Sequence, residues 1–331
     1  MCQYSAVDGL ATQWHDVHIG SFATGGTGMI MMEATGVVPE GRISTACLGL
    51  WNEAQSKRLK PIVDFAHSMG TQIGIQLAHA GRKASCLPPW SDHPMASKEE
   101  GGWDCVAPSA ISFGGKYPVP KALTKKEIQD LVTAFASSAK RAVAAGFDLV
   151  EIHAAHGYLI HQFLSPISNQ REDEYGGSFE NRTRFILEIA RTVRSAIPIG
   201  MPLFVRISAS DWLEDGWTID ESVELCKLLK DVGVDLIDVS SGGTSSGAPV
   251  PVGPGYQVPF ATRIRNESKI PTCAVGLITE STQAEEIVRS GKADAVMMAR
   301  EFLRNPRWPL QAAKELNAVV KWPNQLLRGK G

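Results

Sequence analysis

The segment Glu151-Ile-His-Ala-Ala-His-Gly-Tyr158 places two imidazoles and a phenol within eight residues, where the apolar run Leu149–His153 ends. Two imidazole N–H donors facing one oxygen can stabilise an oxyanion, and a neighbouring phenol can deliver a proton to an adjacent carbon. A metal site is a competing reading of His153 and His156. Against it, the metalloprotease pattern sets its histidines four apart on a helix around a Glu, and no further carboxylate or Cys ligand accompanies this pair, so no metal is expected. Histidines satisfied within a core are the third reading.

Such groups need a scaffold that ends many strands at one rim. Short apolar runs alternate with helical patterns along almost the whole chain, an order that forces parallel strands covered by helices. The expected strands are Met29–Ala34, Gln72–Leu77, Leu149–His153, Leu203–Ile207, Leu236–Ser240, Pro271–Val275 and Ala295–Met298. Helices are expected over Glu53–Ser68, Lys125–Ala145, Asn181–Ser195, Asp220–Val232 and Thr279–Ser290, with Thr124 and Asp220 as N-caps and Gly146, Gly233 and Gly291 just past the ends. The fold class expected is α/β, a (β/α)8 TIM barrel. Met1–Tyr4 reads as the tail of a first strand whose beginning is absent, followed by a helix-like Thr12–Phe22. Strand ends of such a barrel carry its chemistry. Here they present Cys2 and Tyr4, Gln76 and His79, His153, His156 and Tyr158, Arg206, and Ser240 to Gly243.

At 331 residues the chain fits one barrel domain with insertions. It is 44% hydrophobic and 21% charged with a formal net charge of −2, which offers no footprint for nucleic acid. The sequence shows no apolar stretch of membrane-span length and no signal-peptide pattern at Met1 to Leu10, so a cytoplasmic location without membrane partners is expected. Six cysteines, at 2, 47, 86, 105, 226 and 273, lack zinc spacing and read as thiols. The irregular stretch 83–117, after the third strand, is rich in Pro, Gly, Ser and Trp and reads as a lid or a tolerated surface insertion.

The last two strand ends, Val275-Gly-Leu-Ile278 and Met298-Ala-Arg300, place small residues where barrels commonly hold a phosphate, and Arg300 adds charge-assisted donors. No GxGxxG after a strand and no GxxxxGK[ST] is present, so Rossmann and P-loop binding are unsupported.

Together with Met-Cys-Gln-Tyr-Ser at 1–5, Glu33 to Arg42, Gln76 to Lys83, Gln162-Phe-Leu-Ser-Pro166 and Glu174 to Arg182, the Glu151–Tyr158 segment resembles the Old Yellow Enzyme family. The likeness runs from Met1 to about Arg328, and Cys2 and Tyr4 with His153 and His156 are similar to its thermophilic-like branch. The resemblance implies FMN, hydride from NADPH or NADH, and reduction of activated C=C bonds in α,β-unsaturated carbonyl compounds, maleimides or nitroalkenes. Ala34 and Gln76 would contact the isoalloxazine, Arg206 would lie near N1 and O2, and Ser241, Gly242, Gly243, Gly276, Ala299 and Arg300 would hold the phosphate end. His153 and His156 would bind the substrate oxygen, Tyr158 would donate the proton, Tyr4 would orient substrate, and Cys2 would sit near the reactive edge of the flavin. Arg328 would reach a neighbour's site in a homodimer or higher oligomer. The family usually carries further residues before the Met-Cys motif, so residues preceding Met1 are expected to matter for tight FMN binding. It also generally has Gly where Ala299 stands. Another FMN barrel oxidase or dehydrogenase, or a flavin-free binding scaffold, are the alternatives.

Overall fold

A computed structural model describes residues 1–330. Its principal sheet runs β1 (Met29–Gly36), β2 (Gln72–Ala78), β5 (Leu149–Ala154), β6 (Leu203–Ser208), β7 (Leu236–Ser240), β8 (Thr272–Ala274) and β9 (Ala295–Val296), with β3 (Val106–Ala107) and β4 (Lys121–Ala122) as a separate pair. All neighbours in the seven-stranded sheet are parallel and adjacent in chain order, joined by helices. This curled sheet is that of a (β/α)8 barrel.

Alternation along the strands divides core from chemistry. Ile73, Ile75 and Leu77 of β2, Val150 and Ile152 of β5, Val205 and Ile207 of β6, and Ile237 and Val239 of β7 are all buried and belong to one apolar cluster with the helices. Each contributes roughly 1.5–3 kcal/mol by leaving water. The intervening positions carry Gln76, Glu151, His153, Arg206 and Asp238, so the opposite face of the same strands is polar. On β1 the register shifts between Met31 and Ala34, so Met32 and Glu33 oppose Ile75 alone. This bulge brings Ala34 level with Gln76.

The helices Glu53–Ser68 and Lys125–Ala145 form as their patterns predict, the second started by a capping box in which Thr124 Oγ1 accepts from Glu127 N. Gly146 closes it in the left-handed conformation, φ +93°. Two expectations need correction. The cap of Ile219–Asp231 is Thr218, not Asp220: Thr218 Oγ1 accepts from Glu221 N at 3.2 Å, and Asp220 sits in the first turn, where its charge suits the helix dipole. Met1–Tyr4 makes no strand ladder; the Gln3 amide donates to the Glu33 carboxylate at 3.0 Å, and Tyr4 at φ +49° turns the chain out of the extended state.

The stretch 83–117 is folded rather than loose. Cys86 bridges Met95 in antiparallel fashion, Leu87 N donates to Pro94 O, and Ala96 N donates to Ser85 O, which makes a hairpin with Trp90 near its tip. Ala80, Ala84 and Cys105 form a small core beneath it, against Ile43, Trp103 and Tyr158. Arg82 straps the segment down by donating to Ile111 O and to Thr244 O in the loop after β7.

Candidate active site

His153 is the last inward-facing residue of β5, and the chain then leaves the sheet through His156 and Gly157, both with positive φ. The turn is held from three sides. His156 N donates to Ser208 Oγ at 2.8 Å, Gly157 N donates to His161 Nδ1 at 2.8 Å, and Lys83 Nζ donates to His156 O and Gly243 O. Behind it, the fully buried Asp211 accepts from Ser165, Thr244 and the Trp217 amide and lies 3.1 Å from His161 Nε2. Burial opposes ionisation of Asp211, yet His161 and the two hydroxyls hold its carboxyl well below the usual range.

A glycine is required at 157. With φ +70°, a Cβ there would stand 2.0 Å from Gly243 O, and the left-handed conformation alone costs a substituted residue about 1–3 kcal/mol. Gly157→Ala is therefore expected to lose at least about 1–3 kcal/mol in denaturant unfolding, and to lower turnover, because the shift is shared by His156 and Tyr158.

The three rings meet edge to face: His153 and His156 at 5.1 Å between centroids, His153 and Tyr158 at 5.0 Å, His156 and Tyr158 at 6.5 Å. His153 Nδ1 accepts from Ala155 N at 3.2 Å, which assigns its proton to Nε2. Ser240 Oγ lies 2.7 Å from His156 Nε2 and 3.3 Å from Gln257 Oε1, an oxygen already taken by Ser241 Oγ. In the tautomer where Ser240 donates along the shorter contact, the His156 N–H stands on Nδ1. Burial, then the Arg206 charge, hold both imidazoles well below their ordinary pKa. Burial, then Cys2 and Tyr4, raise the Tyr158 phenol well above its own. At neutral pH the site thus offers two neutral N–H donors and one protonated phenol.

Several neighbours carry no signal in the local sequence pattern. Lys83 Nζ stands 4.5 Å from the Phe113 ring centre and 5.1 Å from that of Tyr158, with burial and Arg82 lowering its pKa to about 8. The Cys2 and Cys47 thiols act on each other: this interaction, then burial, raises Cys2, while it lowers Cys47 against burial, and Cys47 Sγ also lies 3.2 Å from Ser44 Oγ. Trp90 meets the Tyr4 ring edge-on at 5.8 Å. Asp238 could have been found: a charged residue at an inward position of an apolar strand, level with Arg206.

At the mouth, Gly242, Gly243 and Gly276 all have positive φ, and a Cβ on Gly276 would meet Gln257 Nε2 at 2.9 Å. Gln257 ties two loops by accepting from Ser241 and donating to Val275 O. Ala299 caps the short helix Arg300–Arg304, and Arg300 is exposed. Gln76 spends one amide donor on Glu151. This set, a cation in the floor, glycine-lined backbone and a cation at the rim, fits a flat heterocycle carrying a phosphate. Arg328 lies exposed on the turn Asn324–Gly329, and the structure does not bring it to the other site residues within one chain.

A family model described as "NADH:flavin oxidoreductase / NADH oxidase family" matches residues 1–318. The chain belongs to this family. It is 50% identical to an NADPH dehydrogenase of Geobacillus thermodenitrificans over 99% of this chain and 92% of that relative. Among solved structures it is similar to morphinone reductase, with a TM-score of 0.79 at 27% identity over 98% of this chain and 86% of that one. It is also similar to a 2-naphthoyl-CoA reductase complex, with a TM-score of 0.87 at 26% identity, covering 95% of this chain but only 49% of that chain. The Old Yellow Enzyme resemblance holds: the protein is an FMN oxidoreductase served by a nicotinamide donor. Among the described residues no helix is long and apolar enough to cross a membrane.

Proposed function

We propose that the protein reduces activated C=C bonds of α,β-unsaturated carbonyl compounds, maleimides or nitroalkenes at the expense of NAD(P)H. The observation that carries this reading is the ring triad, in which two neutral imidazole donors and one protonated phenol converge at a strand end. FMN, when bound, supplies the hydride that reaches the β-carbon. The rest is the work of this chain. His153 and His156 draw negative charge onto the acceptor oxygen, and Tyr158 gives its proton to the α-carbon. Ala34, Gln76 and Arg206 face the isoalloxazine, while Ser241, Gly242, Gly243, Gly276, Ala299 and Arg300 hold the phosphate end. Tyr4, beside Cys2, orients the substrate, with the 83–117 segment as lid. Arg328 serves the site of a second copy in a homodimer or larger assembly.

The test uses purified protein under anaerobic conditions with NADPH and 2-cyclohexenone, N-methylmaleimide or a nitroalkene. Consumption of NADPH in step with loss of the alkene is expected. NADPH oxidation with every alkene recovered unchanged would refute the substrate class and leave the family assignment standing.

A further inference from the structure

Below the ring triad the barrel interior holds charges that proton delivery does not use. Glu151 on β5 and Asp238 on β7 are both fully buried, and Arg206 on β6 lies between their strands, level with His153 on one side and Asp238 on the other. Arg206 Nε is 3.1 Å from Asp238 Oδ2, in ion-pair contact but without hydrogen-bond alignment. Glu151 Oε1 accepts from Gln76 Nε2 at 2.7 Å. Among the described residues, Glu151 Oε2 and both Asp238 oxygens have no hydrogen-bond partner.

Among the described residues the other inward groups of these strands supply no second cation, and the Met1 ammonium lowers the Glu151 pKa less than Arg206 and Gln76 do. Gln76 on β2 is neutral, burial keeps His153 unprotonated, and burial, with Asp238 next, keeps the Cys273 thiol on β8 protonated. Two carboxylates against one guanidinium would leave a net negative charge out of water, which a group avoids by taking a proton. Asp238 has the guanidinium as partner. Glu151 has only a neutral amide, and its unpartnered oxygen is free to carry hydrogen.

We propose that Glu151 is a positioning residue that holds a proton in the working enzyme and, by leaving Arg206 with a single counter-ion, sets how tightly the barrel retains FMN. This rests on the reading that Arg206 faces the isoalloxazine. Burial, then the charge of Asp238, push the Glu151 carboxyl up to about 8, in keeping with the geometry. When Glu151 ionises, the guanidinium is shared between two carboxylates and its field at the flavin face is cancelled. FMN therefore favours the protonated form, so its affinity is level below the Glu151 pKa and falls as pH rises through it.

The experiment dilutes holoenzyme at a series of pH values and follows released FMN by its fluorescence. From about pH 7 to about pH 9 the parent dissociation constant is expected to rise about tenfold, the slope approaching one proton. The FMN phosphate, ionising near pH 6, contributes little in this range. Glu151→Gln, which matches the protonated acid in shape and charge, should keep the low-pH affinity and lose the slope. Asp238→Asn, which removes the repelling charge, should move the midpoint to lower pH. A flat parent profile overturns the proposal. So does a slope that persists in Glu151→Gln, which would assign the proton to Lys83, beside Tyr158 and with its own pKa of about 8. Failure of the protein to hold any FMN would instead sink the site reading beneath it.

Discussion

Tyr158→Phe is expected to slow alkene reduction by about 10²–10⁴-fold, the range for loss of a positioned acid, while NADPH bleaches the flavin absorbance at close to the parent rate. The phenol suits the role because nothing in the site draws its proton away. Burial, with Cys2 and Tyr4 adding to it, raises its pKa well above the ordinary value, and Lys83 faces its ring rather than pairing with its oxygen. Only when carbanion character develops on the substrate does a stronger base than the phenolate come within reach. The deficit should therefore be greatest for substrates whose α-carbon is least basic. Stopped-flow measurement of the two half-reactions separates the cases, and a Tyr158→Phe enzyme that reduces cyclohexenone at the parent rate would show that water delivers the proton.

His153→Ala and His156→Ala should each cost about 10²–10³ in alkene reduction, as loss of one oxyanion donor does, and weaken binding of phenol-like inhibitors. Unlike the Tyr158 variant, they should also slow reduction of the flavin, since the nicotinamide amide would use the same two donors. The two losses should not be equal in character. His153 is fixed by its own local contact to Ala155 N, whereas the His156 tautomer depends on Ser240. His156→Gln, which keeps an N–H donor, should recover more activity than the Ala variant. Because burial and Arg206 hold both imidazoles neutral, alkene reduction should show no histidine titration between about pH 6 and pH 8. A break near the ordinary histidine pKa would mean that a charged imidazole does the binding.

Where residues answer to their own neighbours in the chain, the fold was legible. Leu236–Ser240 and Lys125–Ala145 form to the residue, because alternation in one and a capped 3.6-residue period in the other are local properties. The grouping of His153, His156 and Tyr158 was legible for the same reason. What failed is one local misreading of a cap, and otherwise depends on distant partners. Asp220 looks like a cap, but Thr218 and Glu221 close a box around it. Met1–Tyr4 looks extended, but a side chain on β1 takes the Gln3 amide. Lys83 and Trp90 enter the site through the folded insertion and Cys47 through the connection after β1, and Arg82 at the insertion's base bonds across 162 positions, a separation at which no sequence period exists. Asp238 lies between these cases: its misfit in an apolar strand was visible, its partner was not.

The strapping of the insertion by Arg82 has a consequence for how this site can be altered. The bonds that fix the hairpin, Ala96 to Ser85 and Leu87 to Pro94, lie at its base, and the small core under Ala84 and Cys105 is what touches Tyr158. The tip from Pro88 to His93 therefore behaves as an exchangeable cartridge. Its length and side chains can be redrawn to admit different molecules while the mounting, and with it the proton donor, stays in register.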